Sequence, residues 1–371
     1  MQHEFFDIVI LGAGINGCGI GRELSMRNKK ILILDKSMVG SGTSSKSSRL
    51  IHGGLRYLES FQFSLVKEAL LDRKELTELY PDLVQFRPFY LPVYKSSPRN
   101  AWTIWAGLKL YDLLSDKYSD HRSRMVPLKE FSVHAPCLKQ ENLKAVFKYY
   151  DAKTNDLKLT QQVSEDAKTR GCKIIENLVI KEITHNQSNF IISSSYGKFQ
   201  SPVLVNSTGP WIDEVNHRFN FPTNYQIRKI SGIHIVVHGL VANDLLFMQT
   251  KGKRIFFIIP EPEENQTIIG TTEREEFISA DDVIVDPDDV KYIIRNINAY
   301  LNPDHQIHAS DVRYTFIGIR PLISHKKKPT DLSREYQLDL HQIGETKLLH
   351  VFGGKLTTFL SLSRRAADMI D

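Results

Sequence analysis

The side chains in this sequence that are suited to chemistry are mainly cationic. His234 lies in an alternating, strand-like segment, and an imidazole can accept a proton near neutral pH. Arg320 and Arg334 lie on either side of a lysine-rich stretch, and a planar guanidinium can bind a phosphate through two parallel hydrogen bonds. Taken alone, a strand histidine is more often structural, and a single arginine is usually a solvated surface charge. Their roles therefore depend on the elements that position them.

A glycine-rich turn near the start of the chain predicts a dinucleotide site. A continuous aliphatic run, typical of a strand buried on both faces, ends at Gly12, and a helix is predicted over 14–28. Gly12 permits a tight turn, Gly14 lets a pyrophosphate approach the backbone, and Gly17 lets helix and strand pack closely. Asp35 follows a second buried strand, where its carboxylate can bind ribose hydroxyls. At this point the choice between FAD and NAD stays open.

Two further polar segments are suited to a buried ligand. The loop over residues 41–57 is dense in hydroxyls and glycines, although its composition alone also describes a flexible loop. Gly353 and Gly354 precede Lys355, so the backbone there could touch a flat ring. The start of the following helix would then stabilise negative charge on that ring. A plain turn is the alternative for this glycine pair.

Five motifs, in this order, resemble the FAD-dependent glycerol-3-phosphate dehydrogenases. They are Thr43-Ser-Ser-Lys-Ser-Ser-Arg-Leu-Ile-His-Gly-Gly-Leu-Arg-Tyr-Leu-Glu59, Asn206-Ser-Thr-Gly-Pro-Trp211, Ile269-Gly-Thr-Thr272, Gly318-Ile-Arg-Pro-Leu322 and Phe352-Gly-Gly-Lys-Leu-Thr-Thr358. The resemblance runs from about Phe6 to the last residue. It implies FAD, with the isoalloxazine between two domains. It also implies oxidation of sn-glycerol 3-phosphate to dihydroxyacetone phosphate, with electrons passed to a quinone-like acceptor.

The resemblance also implies roles for individual residues. It makes His234, with a near-neutral pKa, the first candidate for the base that takes the C2 hydroxyl proton. Lys355 is the competing base, or a charge that stabilises the alkoxide, and Arg320 completes the catalytic set. The implied substrate contacts are Arg56, Tyr57, Arg320 and Arg334. The glycine motif and the resemblance together predict cofactor contacts from Gly12, Gly14, Gly17, Asp35, Thr43, Ser44, Ser45, Ser47, His52, Gly53, Gly54, Leu55, Val179, Thr208, Gly209, Trp211, Gly318, Gly354, Lys355, Leu356 and Thr357.

The predicted fold is α/β, with a Rossmann-like FAD-binding domain that is discontinuous in sequence. Residues 1–85, 145–215 and 310–371 are assigned to this domain. An inserted substrate domain, residues 86–144 and 216–309, is predicted to combine an antiparallel β-sheet with helices, because several β-rich runs separated by polar turns lie within it.

The sequence departs from the pattern that it resembles at three places. Asp35 stands where that family commonly has glutamate, which should preserve ribose binding. Asn155-Asp156-Leu-Lys-Leu159 replaces the more usual Asp-Asp-Ala-Arg-Leu, so no role is carried over to that helix start. The sequence ends at Asp371, where family members usually continue into a helical domain, so acceptor docking by such a domain is not carried over either.

Composition limits the class of protein and its partners. With 371 residues, a net charge of +5 and a pI near 8.8, the chain suits an anionic ligand but is too weakly basic to indicate nucleic acid. Three separated cysteines indicate neither a disulfide framework nor a metal site. An acidic N-terminus and the lack of a long apolar run favour a cytoplasmic location. The aromatic and basic residues around Trp102 and Trp105 could form an amphipathic face for peripheral contact with the inner face of the cell membrane, with packing in the core or at a domain seam as the equal alternative. The oligomeric state stays open too.

Two rival functions remain at the level of sequence. The first is a flavoenzyme of the same fold that oxidises an amino acid or a 2-hydroxy acid, whose carboxylate would need fewer guanidinium groups than a phosphate does. The second is a flavin-binding module without turnover. Bleaching of the flavin by substrate in the absence of oxygen would separate the two.

Overall fold

The described part of the chain folds into three β-sheets with helices packed against them. A computed structural model describes residues 4–115, 121–252, 254–325, 328–333 and 336–371. Within these ranges the α-helices are α1 (Ile15–Ser25), α2 (Phe63–Leu79), α3 (Ala101–Leu114), α4 (Leu128–His134), α5 (Asp156–Thr169), α6 (Ile212–Arg218), α7 (Pro287–Asn298) and α8 (Phe359–Ile370). Among these described helices none is long and apolar enough to cross a bilayer.

Several strands lie where the sequence has continuous aliphatic runs. They are β1 (Glu4–Phe5), β2 (Ile8–Leu11), β3 (Ile31–Leu34), β4 (Leu50–Ile51), β5 (Gln85–Tyr94), β6 (Arg124–Met125), β7 (Leu143–Lys153), β8 (Lys173–Ile175), β9 (Ile180–His185), β10 (Phe190–Ser194), β11 (Lys198–Ser201), β12 (Val203–Asn206), β13 (Tyr225–His238), β14 (Leu245–Gln249), β15 (Ile255–Glu261), β16 (Gln266–Gly270), β17 (Arg274–Glu276), β18 (Val312–His325), β19 (Lys328–Ser333), β20 (Gln337–Ile343) and β21 (Thr346–Phe352).

A six-stranded sheet forms the dinucleotide-binding type of core. Its order is β20-β21-β12-β2-β3-β8, and all neighbours are parallel except β20 with β21. Ile8 and Ile10 of β2 pack with α1, α5 and α8, whereas Val9 and Leu11 pack with the four-stranded sheet β1-β11-β10-β9. Both faces of β2 are therefore covered, which explains why its sequence is continuously aliphatic.

An eleven-stranded, mainly antiparallel sheet forms the other half of the molecule. Its main path is β19-β18-β13-β16-β15-β14-β5-β7-β4, with β17 paired to β13 and β6 to β7. Alternate residues of β13 serve opposite cores: Ile233 and Ile235 pack with α4 and α7, whereas Val236 packs with α2 and α3. The α/β class and the combination of a Rossmann-like sheet with an antiparallel sheet are confirmed.

The two domain boundaries near residues 145 and 310 stay predictions, and strand pairing bears on where they fall. Strand β7 pairs along its length with β5, and β18 pairs with β13, so both lie in the eleven-stranded sheet. The predicted division assigns most of β7 and all of β18 to the FAD-binding domain. Their partners are distant in sequence, so local periodicity carries no information about which sheet they join.

A cavity of about 1270 Å³ lies where the two large sheets meet. Gly12, Asp35, Ser207 and Gly353 line it, and each directly follows the carboxyl end of a strand in the six-stranded sheet. Ligands of open α/β sheets bind outside the carboxyl ends of the strands. The fold therefore places the predicted ligand motifs around one space.

Candidate active site

At two positions of the first glycine turn, close contacts leave no room for a side chain. Gly12 has φ +101°, and a Cβ there would lie 2.5 Å from the Ser207 carbonyl oxygen. A Cβ on Gly17 would collide with the carbonyl oxygen of Gly12 and lie 3.1 Å from its carbonyl carbon. Gly14 lines the cavity at the start of α1. The turn thus presents backbone to the cavity, as the glycine spacing predicts.

Asp35 holds this turn together and also lines the cavity. Its Oδ2 accepts from the Ala13 N–H at 2.6 Å, and its Oδ1 accepts from the Ser37 N–H at 2.8 Å. Burial raises the pKa of Asp35, and these two N–H donors oppose the shift. A carboxylate has about four lone-pair positions, so two stay available for the predicted ribose hydroxyls.

The hydroxyl-rich loop is ordered by its own hydrogen bonds. Ser44 Oγ accepts from the Ile15 N–H at 3.0 Å, which ties the loop to the first turn of α1. Thr43 Oγ1 donates to the Ile319 carbonyl at 2.9 Å, which ties it to β18. The loop therefore bridges the two large sheets, and its hydroxyls are held in place beside the cavity.

A buried charge network lies behind the second half of that loop. Asp151 accepts from Arg73 Nη1 at 2.5 Å, from Tyr111 Oη at 2.7 Å and from the Gly53 N–H at 3.3 Å. Asp151 also lines the cavity, and burial lowers the pKa of His52 beside it. A pattern of residue types along the sequence gives no signal for Asp151, because strand pairing brings it here.

The second glycine turn positions Lys355. Gly353 and Gly354 have φ +73° and +88°, and Asn16 Nδ2 donates to the Gly353 carbonyl at 3.2 Å. Lys355 Nζ lies 4.2 Å from the centre of the Tyr57 ring. This ammonium nitrogen is buried, and among the described residues it has no hydrogen-bond partner. A buried cation without an acceptor fits a site that holds a polar or anionic ligand.

Helix α8 begins later than the sequence suggests. Its first residue is Phe359, and the N-cap, Thr358, makes no side-chain capping bond. Instead Asp72 of α2 accepts from the Ser361 N–H at 3.0 Å and also from the Ser361 hydroxyl. Burial raises the pKa of Asp72 to about 6. The helix start is therefore capped from another helix and lies four residues beyond Lys355.

His234 faces the cavity from β13. Its Nε2 lies 2.9 Å from Ser48 Oγ, its ring stacks on Phe316, and its Nδ1 is buried with no hydrogen-bond partner in the described ranges. Burial, with Arg320 and Arg49 nearby, lowers the pKa of His234 to about 3. The expectation of a near-neutral pKa is therefore wrong for the ligand-free protein, because desolvation and two guanidinium groups both disfavour the imidazolium.

Arg320 is fixed next to His234 by one short segment. Its Nη2 donates to Thr271 Oγ1 at 3.0 Å, and its Nη1 donates to the Thr272 carbonyl at 3.4 Å. Gly232 makes room for it, since a Cβ at that position would lie 2.8 Å from Arg320 Nη1. The imidazole and the guanidinium thus face the same part of the cavity.

The structure brings most of the predicted site residues together, although their roles stay predictions. Those that line the cavity are Gly12, Gly14, Asp35, Thr43, Ser44, Ser47, His52, Gly54, Leu55, Arg56, Tyr57, Val179, Thr208, Gly209, Trp211, His234, Gly318, Arg320, Gly354, Lys355, Leu356 and Thr357. Gly17, Ser45 and Gly53 lie outside this lining, where Gly17 and Gly53 serve close packing. Arg334 lies outside the described residues.

A segment after β17, residues 277–286, crosses from the antiparallel sheet to the dinucleotide side. Asp281 accepts from Lys36 Nζ at 2.6 Å and from Trp211 Nε1 at 3.0 Å, and all three residues line the cavity. Lys36 Nζ also lies 4.3 Å from the centre of the Trp211 ring. Sequence reasoning missed Lys36 and Asp281, because their contact joins residues far apart in the chain.

Comparison with known proteins places this geometry in a family. The family described as FAD dependent oxidoreductase matches residues 7–367. A D-erythritol 1-phosphate dehydrogenase of Brucella abortus is 33% identical over 98% of this chain and 73% of its own length. A glycerol-3-phosphate dehydrogenase of Synechocystis is 35% identical over the whole chain and 70% of its own length. The crystal structure of the glycerol-3-phosphate dehydrogenase from Bacillus halodurans with FAD has a TM-score of 0.77 at 23% identity. It covers all of this chain, which spans 65% of that protein's length.

The residues around the cavity fit FAD. Two glycine turns expose backbone to an elongated ligand, Asp35 has lone pairs for ribose hydroxyls, and the buried Lys355 ammonium lacks an acceptor among the described residues. The prediction of FAD as the cofactor is confirmed by the family and by its FAD-bound structural neighbour. The chain therefore belongs to the FAD-dependent oxidoreductase family, and nearly all of it is similar to part of proteins named glycerol-3-phosphate dehydrogenase.

Proposed function

We propose that this protein oxidises the secondary hydroxyl of a short phosphorylated polyol to a ketone, with sn-glycerol 3-phosphate as the first substrate to test. The observation that carries this proposal is the arrangement of Arg320 and His234. Both face one part of the cavity, and Thr271 and Thr272 hold the guanidinium in place. A phosphate bound by Arg320 would bring a nearby carbinol within reach of the imidazole. The product from glycerol 3-phosphate is dihydroxyacetone phosphate.

The predicted cofactor contacts form two groups with different roles. Gly12, Gly14 and Asp35 would hold the pyrophosphate and ribose, as the turn after β2 exposes backbone N–H groups and the carboxylate accepts hydroxyls. Gly354 and Lys355 would lie against the ring system. When bound, FAD accepts the hydrogen and the electron pair that leave C2 of the substrate.

His234 is the first candidate for the base. Its two ring nitrogens differ: Nε2 shares a hydrogen bond with Ser48, and Nδ1 has no partner within the described ranges. The neutral imidazole can take the hydroxyl proton as the C2–H bond breaks. A bound phosphate dianion would raise the pKa of His234 from its low value, because it offsets the charge of Arg320 and Arg49. Lys355 is the alternative base, and its positive charge would stabilise a developing alkoxide.

A second substrate of the same chemical class is D-erythritol 1-phosphate. The Brucella relative named for that substrate is as similar to this chain as several relatives named for glycerol 3-phosphate. Both compounds have a phosphate and a secondary hydroxyl, so the anion site and base described above serve either. An amino acid or 2-hydroxy acid substrate is less well supported, since a single carboxylate does not use as many cationic groups as this cavity presents.

Rapid-mixing reduction of the flavin without oxygen tests the proposal. We expect glycerol 3-phosphate or D-erythritol 1-phosphate to bleach the flavin at least about 10-fold more efficiently than glycerol, lactate or sarcosine, since one charge-assisted phosphate contact is worth roughly 1.5–3 kcal/mol. Faster reduction by sarcosine or lactate would contradict it. For the electron acceptor we propose a quinone-like compound. Reoxidation by a soluble quinone should then be faster than reoxidation by air.

A further inference from the structure

We infer that Arg254 is a second guanidinium in the anion site, and that it binds the phosphate of the substrate together with Arg320. The inference rests on the proposed function and adds a residue that the sequence motifs do not include. Arg254 lies at the base of the hairpin between β14 and β15, where its carbonyl accepts from the Thr250 N–H at 2.8 Å. The next residue, Ile255, and Phe257 line the same cavity as Arg254. The hairpin thus delivers the guanidinium to the cavity edge.

Arg254 and Arg320 are held by three consecutive residues. Arg320 donates to Thr271 Oγ1 and to the Thr272 carbonyl, and Arg254 Nη2 donates to the Glu273 carbonyl at 3.5 Å. Thr272 is fixed in turn, because its Oγ1 accepts from the Ile233 N–H at 3.1 Å. The two guanidinium groups therefore lie along one short stretch of backbone, directly beside the strand that carries His234.

Four acidic groups near this edge pair with cations other than Arg254. Arg274 binds Glu276 at 2.9 Å and Asp286 at 2.6 Å, and its Nη1 lies 3.5 Å from Asp289. Arg254 is one of the charges that act on Asp289, but no ion pair joins the two among the described residues. The Glu275 carboxylate pairs with Arg228.

Arg254 keeps most of its donors for a ligand. A guanidinium has five N–H donors, and within the described ranges the hydrogen bond from the Arg254 side chain is the one to Glu273. Its neighbour Arg320 also donates to uncharged oxygens at Thr271 and Thr272. Two guanidinium groups that face one cavity match the charge of a phosphate dianion better than that of a carboxylate. Arg254 would accordingly favour phosphorylated substrates over carboxylates.

The test compares Arg254→Ala, Arg254→Lys and Arg313→Ala in the FAD-loaded protein. Arg313 is the matched control, because it is an exposed arginine of the same sheet that donates to Gln266 and does not line the cavity. Binding of inorganic phosphate to the oxidised protein is followed by the change in flavin absorbance, which needs no turnover. Steady-state kinetics with sn-glycerol 3-phosphate then separate KM from kcat.

We expect Arg254→Ala to weaken phosphate binding and to raise the KM for glycerol 3-phosphate by about 10- to 100-fold, with kcat changed less than about threefold. Arg254→Lys should lose less, because it keeps the charge without the planar fork. Arg313→Ala should match the wild type. Equal phosphate affinity in Arg254→Ala and Arg313→Ala would overturn the inference. If glycerol 3-phosphate fails to reduce the wild type while Arg254→Ala still weakens phosphate binding, the proposed function fails and the anion site stands.

Discussion

Replacing Gly232 by alanine should disturb the anion site through Arg320. Gly232 lies in β13 opposite Gly318, and an added Cβ would lie 2.6 Å from Thr271 Oγ1, 2.7 Å from the Thr272 carbonyl oxygen and 2.8 Å from Arg320 Nη1. Ordinary contacts of a Cβ are about 3.4 Å or longer, so these groups must move by roughly 0.6–0.8 Å. Overpacking of this size costs about 1–3 kcal/mol.

Gly232→Ala should also weaken substrate binding, in addition to its cost in stability. Moving the guanidinium away from its two acceptors removes the preorganisation of the phosphate contact, so we expect the KM for glycerol 3-phosphate to rise about tenfold, or roughly 1.4 kcal/mol. FAD content should stay normal, because the motifs on the dinucleotide side are not touched. Thermal unfolding and steady-state kinetics measure the two effects.

Two comparisons make this prediction refutable. In Gly107→Ala the new methyl group has space, with Leu55 Cδ1 at 4.0 Å, and helix α3 should gain about 0.5–1 kcal/mol. In a double-mutant cycle, Gly232→Ala should raise KM much less once Arg320 is already alanine, because the displaced group is gone. Fully additive effects of the two substitutions would show that the methyl group does not act through Arg320.

Four further predictions concern the same cavity. Arg320→Ala should weaken glycerol 3-phosphate by about 10- to 150-fold with FAD content unchanged, and lysine should rescue it in part; steady-state KM values check this. His234→Ala should slow anaerobic flavin reduction by about 10²–10⁴-fold, measured by rapid mixing. Because the folded pKa of His234 is about 3 against 6.5 unfolded, the stability owed to the neutral ring is present above pH 6.5 and is lost as pH falls towards 3. Urea unfolding at pH 7 and pH 5 should therefore show a smaller loss of stability in a His234→Phe variant than in the wild type. Asp281→Ala should speed FAD release by no more than about fivefold, since an exposed ion pair contributes only about 0.2–1 kcal/mol, and the recovery of flavin fluorescence after dilution measures it.

Local sequence patterns are sufficient to predict the strands and the helix that carry the dinucleotide motif. The strand before Gly12, the helix after it and the strand before Asp35 lie where the aliphatic runs and glycine spacing predict them. These features depend on neighbours in the sequence, because a βαβ unit is built from adjacent segments. The antiparallel sheet is likewise predicted from its β-rich runs, because some of its paired strands are neighbours in the sequence.

The parts of the site that the sequence does not predict depend on contacts between distant segments. Asp151 reaches the cavity because β7 pairs with β5, and Arg254 reaches it through the hairpin that follows β14. The low pKa of His234 arises from burial and from two arginines on other segments, so no local motif signals it. A sequence pattern records which residues are present, whereas these properties depend on what surrounds them in space.

The central claim is that a phosphorylated polyol reduces the bound flavin. The most direct measurement is an anaerobic titration of the FAD-loaded protein with sn-glycerol 3-phosphate, in which flavin absorbance and the ketone product are measured together. The account predicts progressive bleaching of the flavin, with one molecule of dihydroxyacetone phosphate formed for each flavin reduced. A fully FAD-loaded protein that stays oxidised with both glycerol 3-phosphate and D-erythritol 1-phosphate, and is bleached by an amino acid or a 2-hydroxy acid, would contradict it.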